Sequence, residues 1–245
     1  MKKIRDWLWQ DRRETSSTND EAAKLCAAAR GEKFIVSAAS QTGGRGRRGR
    51  VWDSLAGNLF VSFAFPAALK DASRLIFIVS LGLLETVRRL KPGIDVCLKW
   101  PNDVLVNGGK VSGILMEKAA GDYMVVGIGV NVAAAPRRED ILYPVASLRE
   151  AGLVIDRLDF LREYVGVFDD LLAEWKEKGF APLRERWLAN AKNLGKEINV
   201  HMEHEDKKGI FNGVDENGAL LLETPSRIEK IYAGDIFYLK EKEVK

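Results

Sequence analysis

Cysteine is nearly absent. Cys26 and Cys97 are the only two in 245 residues, both in apolar surroundings. Two thiols make no disulfide framework, so the expectation is a reducing, cytoplasmic compartment with buried thiols. No stretch approaches the ~20 apolar residues of a membrane span. The N-terminal Trp7-Leu8-Trp9 is cut short by Gln10-Asp11-Arg12-Arg13-Glu14, so it cannot serve as a signal peptide. An excess of one charge is also missing: 38 Lys and Arg stand against 35 Asp and Glu, a net +3. A dedicated nucleic-acid binder carries more excess charge on one face. His201 and His204 are the only histidines, and with no cysteine nearby their spacing reads as surface rather than metal ligation. There is no internal repeat.

What the chain does have is local. Gly43-Gly44-Arg45-Gly46-Arg47-Arg48-Gly49-Arg50 holds four glycines and four arginines in eight positions. Glycine lets the backbone approach a ligand, and successive free N–H groups can form an anion-binding nest. Arginine adds planar forks that match phosphate and carboxylate. Strand-like runs flank the loop, Phe34-Ile35-Val36 before it and Leu59 to Phe65 after it, which favours an anion site over a solvated basic tail.

With 46% hydrophobic residues, the length suits one sizeable domain, or one with a small companion. Thr18-Asn19-Asp20-Glu21 reads as a capping box, with Thr18 as the cap of a helix that stops near Gly31. Asp71 opens a second helix, which Pro92-Gly93 stops. Four short strands follow: Val96 to Trp100, Val104 to Val106, Val111 to Glu117 and Met124 to Val130. Tight turns such as Asn107-Gly108-Gly109 join them, as in an antiparallel meander. Asp156 caps a long helix ended by Gly179, and Pro182 suits the first turn of another that ends near Gly195. Composition then shifts to about five short strands in roughly 45 residues, the pattern of a small barrel. The expected class is α+β, with a mixed or antiparallel sheet and a boundary near Asn193.

Polar segments sit at strand ends and helix starts: Ser16-Ser17-Thr18-Asn19, the Gly/Arg loop, Lys99-Trp100-Pro101-Asn102-Asp103, Lys110-Val111-Ser112-Gly113 and Gly127-Ile128-Gly129-Val130-Asn131. Gly127 and Gly129 lie inside a strand, where glycine marks a bulge or a close approach. Read one by one, Ser17 is a capping residue, Lys110 a hairpin lysine and Asn131 a strand-end residue. Together they can surround one pocket.

These five segments, in this order, resemble the biotin protein ligases. That family joins biotin to ATP as biotinyl-5′-adenylate, then transfers biotin to one lysine of a biotin carboxyl carrier domain. The resemblance implies a catalytic domain over residues 1–193, similar to class II aminoacyl-tRNA synthetases, and an SH3-like barrel over 194–245. It assigns biotin to Ser17, Thr18, Asn19, Gln41, Gly44, Arg45, Arg47, Lys110, Gly113 and Ile114. The nucleotide falls to Arg47, Arg48, Arg50, Trp52, Asn102, Lys110 and Asn131. Catalysis falls to Lys110, Arg45, Arg47 and Asp103, the last a candidate to orient or deprotonate the acceptor lysine. Mg²⁺ is expected with ATP, and no intrinsic metal. The family includes monomers and homodimers. Some members carry a DNA-binding domain of roughly 60 residues before the motif at Ser17, for which this chain leaves no room, so no DNA partner is expected. The rival readings are a lipoate or octanoate protein ligase-like enzyme and, in another class, a nucleic-acid-binding module using the Gly/Arg loop.

Overall fold

A computed structural model describes residues 1–137, 143–202 and 204–237. In chain order the elements are β1 (Lys2–Ile4), β2 (Trp7–Arg12), α1 (Thr18–Cys26), β3 (Lys33–Ala38), β4 (Leu59–Pro66), α2 (Ala72–Leu90), β5 (Val96–Lys99), β6 (Asp103–Val106), β7 (Gly109–Lys118), β8 (Tyr123–Val130), α3 (Arg157–Lys178), α4 (Ala181–Leu188), β9 (Glu197–His201), β10 (Asp206–Val214), β11 (Leu220–Glu223), β12 (Ile228–Ile231) and β13 (Asp235–Phe237). The large sheet runs β1-β2-β3-β4-β8-β7-β6-β5. Among the described strands only β2 and β3 pair in parallel, and the other neighbours are antiparallel, including the expected β5 to β8 meander.

Side-chain alternation divides this sheet into two unlike faces. On β4, Leu59, Val61, Phe63 and Phe65 enter the main core, as do Val126, Ile128 and Val130 on β8. Helices α2, α3 and α4 cover that face with Leu75, Ile78, Phe160, Tyr164, Phe168 and Trp187. The opposite face carries Ser62 and Ala64 on β4, with Gly127 and Gly129 on β8. There α1 seats Ala22 and Cys26 against Phe34, Val36, Ala64 and Val125, in a smaller cluster. Among the described residues this one short helix is the only helix packed on the second face.

The main core is aromatic at its centre. Phe63 meets Trp7, Tyr164 and Phe168 edge-on, with centroids 5.1 to 5.6 Å apart. The Trp7 indole N–H reaches Asp169 Oδ1 at 2.8 Å, so the buried donor is satisfied.

Four local expectations need correction. The cap of α1 is Ser17, whose hydroxyl accepts from the Asp20 N–H, and the helix stops at Cys26. Thr18 is already the first helical residue, and its hydroxyl is held between Gln41 Oε1 and Ser62 Oγ instead of turning to a helix N–H. Glu21 does not close a capping box; it pairs with Lys24 and Arg12. The last helix ends at Leu188, before Gly195. The β1–β2 hairpin escaped the sequence reading, since charged residues mask the alternation of Trp7 and Trp9.

The C-terminal strands form a second sheet, ordered β12-β11-β10-β9-β13 and antiparallel throughout. It meets the first through Trp100, whose indole N–H donates to the Gly218 carbonyl at 3.2 Å, and through Arg74, which donates to Glu216 O and Asn217 Oδ1. Phe168 is fully enclosed at the centre of the aromatic group. Phe168→Ala should therefore cost about 3–5 kcal/mol of unfolding free energy in urea melts. A loss below about 1 kcal/mol would show that the core refills the cavity.

Candidate active site

The open face holds a cavity of about 380 Å³ between α1, the Gly/Arg loop, β7, β8 and the turn before β6. That is within the usual range of small-molecule sites. Its walls include Ser17, Thr18, Asn19, Gln41, Arg45, Arg47, Arg50, Trp52, Asn102, Asp103, Lys110, Gly113 and Ile114. Three expected residues stand apart. Gly44 lies behind the wall, where its carbonyl accepts from the Trp52 N–H at 3.0 Å and a Cβ would come within 2.7 Å of Trp52 O. Arg48 has a left-handed φ of 55° and extends to within 3.6 Å of Asp235. Asn131 is buried, with its amide donating to the Ala146 carbonyl at 3.1 Å.

The glycines explain how a sheet surface can hold such a site. A Cβ on Gly127 would run into the Asn19 amide, and one on Gly129 into the Trp52 indole. At Gly113 it would lie 2.9 Å from the Trp52 ring and 3.3 Å from Lys110 Nζ. These positions are empty so that Asn19, Trp52 and Lys110 can lie flat against β7 and β8. The Trp52 Nε1 is buried and has no partner among the described residues.

Lys110 Nζ sits 2.6 Å from Asp103 Oδ1, with both side chains largely buried. It also faces the rings of Trp52 and Tyr143, at 5.5 and 5.3 Å from their centroids. Burial pushes the Lys110 ammonium toward neutrality, but the Asp103 carboxylate and Tyr143 outweigh it, and its pKa is raised. Lys99, also buried, has its pKa lowered, first by burial and then by Lys110, against the pull of Asp103.

The loop arginines are each met by a carboxylate or carbonyl. Arg45 donates to Asp20 at 2.6 and 3.1 Å and to Glu117 at 3.2 and 3.3 Å. The Arg45 hydrogen bond holds Asp20 below the usual carboxylate range. Arg47 donates to Asn102 Oδ1 at 3.2 Å and to the Gly234 carbonyl. Arg50 donates to Asp235 Oδ2 at 2.7 Å. Burial lowers the Arg47 pKa against the opposing charges of Asp235 and Asp103.

Sequence reasoning missed Asp235, Tyr143, Glu117 and Asp20 as neighbours of this site. Glu117 could have been found by strand alternation, because it shares a face with Gly113. Asp235 and Tyr143 carry no local signal; they arrive through tertiary packing.

A profile of the Biotin/lipoate A/B protein ligase family matches residues 13–131, and one of the biotin protein ligase C-terminal domain matches 194–239. The chain is 38% identical over 239 residues to a biotin–[acetyl-CoA-carboxylase] ligase of Paracoccus denitrificans, covering 91% of this chain and 98% of that protein. It is 32% identical over 231 residues to a bifunctional ligase/repressor of Bacillus subtilis, covering 90% of this chain and 71% of that one. In three dimensions it matches a biotin protein ligase from Aquifex aeolicus in complex with biotin and ATP. The TM-score is 0.80 at 29% identity, over 95% of this chain and 97% of that one.

The Lys110–Asp103 pair makes a signed pH prediction. The folded pKa of Lys110 is raised, so the pair's contribution is complete below the unfolded lysine value near ~10.4 and fades as pH climbs through the folded one. Asp103→Asn removes the largest raising charge and leaves burial to lower the ammonium. The alkaline limb of activity should then move to lower pH, read from pH–rate profiles of parent and variant. An unmoved limb would mean that Lys110 does not govern it.

Proposed function

We infer the chemistry of this site from one premise: the chain belongs to the biotin protein ligases. It is a ligase that activates biotin with ATP and transfers it to protein. The observation that carries the assignment of roles is the buried Lys110–Asp103 pair, set in the same cavity as the Gly/Arg loop.

In the first half-reaction a biotin carboxylate oxygen attacks the α-phosphorus of ATP. The new acyl–phosphate bond forms as the bond to the bridging oxygen breaks, and pyrophosphate leaves with those electrons. Two anions must approach and the phosphorus gains charge, so fixed cations and aligned donors are what the step needs. Lys110 is suited to stand between carboxylate and α-phosphate, as a charged ammonium whose stem is held on β7. Arg47 and Arg50 supply further positive charge from the loop. Ser17, Thr18 and Gln41 offer polar groups to the ureido ring, and Gly113 leaves room for the bicycle. Trp52 offers a flat face to adenine. We keep Asn131 and Arg48 as nucleotide-side residues that would act from behind the wall. Magnesium enters as part of the nucleotide substrate; among the described residues no cluster of carboxylates, histidines or cysteines could hold a resident metal.

In the second half-reaction the acceptor lysine amine attacks the acyl carbon, an amide forms, and AMP leaves. An alkyl amine is mostly protonated near neutral pH. We assign to Asp103, whose carboxylate sits in the cavity beside Lys110, the part of orienting that amine or taking its proton. The acceptor we propose is the lysine of a biotin carboxyl carrier domain. We read residues 1–193 as the catalytic unit, of the class II synthetase-like type, and 194–245 as an SH3-like barrel. Its Asp235 and Gly234 reach the loop, which supports a part for it in closing the site. Two unpaired thiols are in keeping with a cytoplasmic setting.

The decisive measurement is the mass of a carrier domain after incubation with biotin and ATP, with lipoate as the competing acid. A single biotin adduct is expected. A lipoyl adduct in its place would transfer the reading to the lipoate ligases.

The half-reactions separate by mutation. Lys110→Ala should depress adenylate formation far more than biotin affinity, and Lys110→Arg should rescue poorly because a fork replaces a compact charge. Transfer from supplied biotinyl-AMP should suffer less than the overall reaction. Arg47→Ala should instead release adenylate. Loss of a charge-assisted contact costs about 1.5–3 kcal/mol, a rise in off-rate of roughly tenfold to over a hundredfold. Parent-like adenylate synthesis by the Ala variant at Lys110, or parent-like retention by the one at Arg47, would remove that residue's role.

A further inference from the structure

Alternation on β7 places Glu117 on the same face as Gly113 and Leu115, beyond the end of the cavity. Its carboxylate is shared. Oε2 accepts from the Asn19 amide at 2.6 Å, and both oxygens accept from the Arg45 guanidinium at 3.2 and 3.3 Å. Asn19 is a wall residue whose Oδ1 accepts from Ser62 Oγ at 2.6 Å. Ser62 Oγ also lies 2.8 Å from Thr18 Oγ1, and Thr18 meets Gln41 Oε1 through its N–H at 2.7 Å and its hydroxyl at 3.1 Å. Gln41 and Arg45 open the same loop. The bonds thus form a closed circuit that runs from the loop's base through the cavity floor to the loop's first arginine.

Arg45 has little left to offer a substrate. Its Nε, Nη1 and Nη2 are all occupied by Asp20 and Glu117, two carboxylates on different elements. This geometry is that of a brace. It differs from Arg47 and Arg50, which reach the second sheet.

We propose that Glu117 is a positioning residue that couples the biotin-ring floor, Thr18 and Asn19, to the Gly/Arg loop by fixing Arg45. Ligand held by Thr18 and Gln41 stiffens Asn19. Asn19 holds the Glu117 carboxylate in place, and Glu117 locks the arginine from which the loop extends over the adenylate. Arg45 acts through this contact and does not itself touch the reacting atoms. The proposal rests on reading the cavity as the biotin site.

The test is Glu117→Gln, which keeps an oxygen for the Asn19 amide and removes the charge facing Arg45. Three quantities are measured on the full chain: biotin affinity by calorimetry, the off-rate of biotinyl-AMP, and biotin-dependent protection of the Arg47 to Arg50 segment from trypsin. The expected result is biotin affinity within about threefold of parent, an adenylate off-rate raised about tenfold, and lost protection. Arg45→Gln should raise the adenylate off-rate and lose the protection to the same extent, and in both readouts the double variant should be no worse than either single one. A lower melting temperature with unchanged off-rate and protection would reduce Glu117 to an ordinary structural ion pair. Additive effects in the double variant would also overturn the coupling. If the parent chain makes no adenylate from biotin and ATP, the reading of the site fails, independently of Glu117.

Discussion

Positive charges crowded around one cavity repel one another, and the structure depends on where their counter-charges come from. Each carboxylate is borrowed from a different element. Asp20 on α1 and Glu117 on β7 hold Arg45, Asp103 at the start of β6 holds Lys110, and Asp235 on β13 faces Arg47, Arg48 and Arg50. In a partly desolvated site an unpaired charge is costly, so these partners are a condition of folding the loop against the protein. They also make the loop a joint between the two sheets.

Much of this was legible in advance, and the reasons differ by element. Strands β3 to β8 announce themselves by apolar runs closed with glycine, proline or asparagine turns. The caps at Asp156 and Gly179 follow from local chemistry. The gathering of Ser17, Gln41, Arg47, Asp103, Lys110 and Gly113 around one cavity followed from motif order and a family resemblance, since spacing alone left each residue with an ordinary structural explanation. What failed was tertiary. Thr18 would cap a helix in isolation, but its N–H and hydroxyl donate to Gln41 and its hydroxyl oxygen faces Ser62, so Ser17 takes the cap. Asn131 is tied to the Ala146 carbonyl, a contact that its place at the end of a strand does not announce. Asp235 lies in a strand whose sequence says nothing of the loop it meets.

The strand glycines carry the same lesson in reverse. Gly113, Gly127 and Gly129 weaken the local strands, because glycine loses more backbone freedom and fills no space. Their use appears only once the chain is folded, when Trp52 and Asn19 lie in the space that side chains would have taken. A feature unfavourable to the strand taken alone is a requirement of the face it presents. That face is open because α1 is short, while the opposite face is sealed by three helices around Phe63 and Phe168. One sheet therefore supplies a rigid floor on one side because it is fully packed on the other.

This arrangement also bears on how an anionic ligand is received. A carboxylate or phosphate entering the cavity meets cations that already have partners, so its binding is an exchange of one anion for another. Exchange gains little from net charge and much from fit, because the long-range attraction is already neutralised in part. A phosphate can present several oxygens to converging donors, whereas the Asp235 carboxylate approaches Arg47 and Arg48 only at 3.8 and 3.6 Å and binds Arg50 closely. Asp235 thus holds Arg50 firmly and Arg47 and Arg48 more loosely. Arg45 differs because its two carboxylates occupy the guanidinium on several nitrogens at once, which suits it to stay fixed while its neighbours exchange partners.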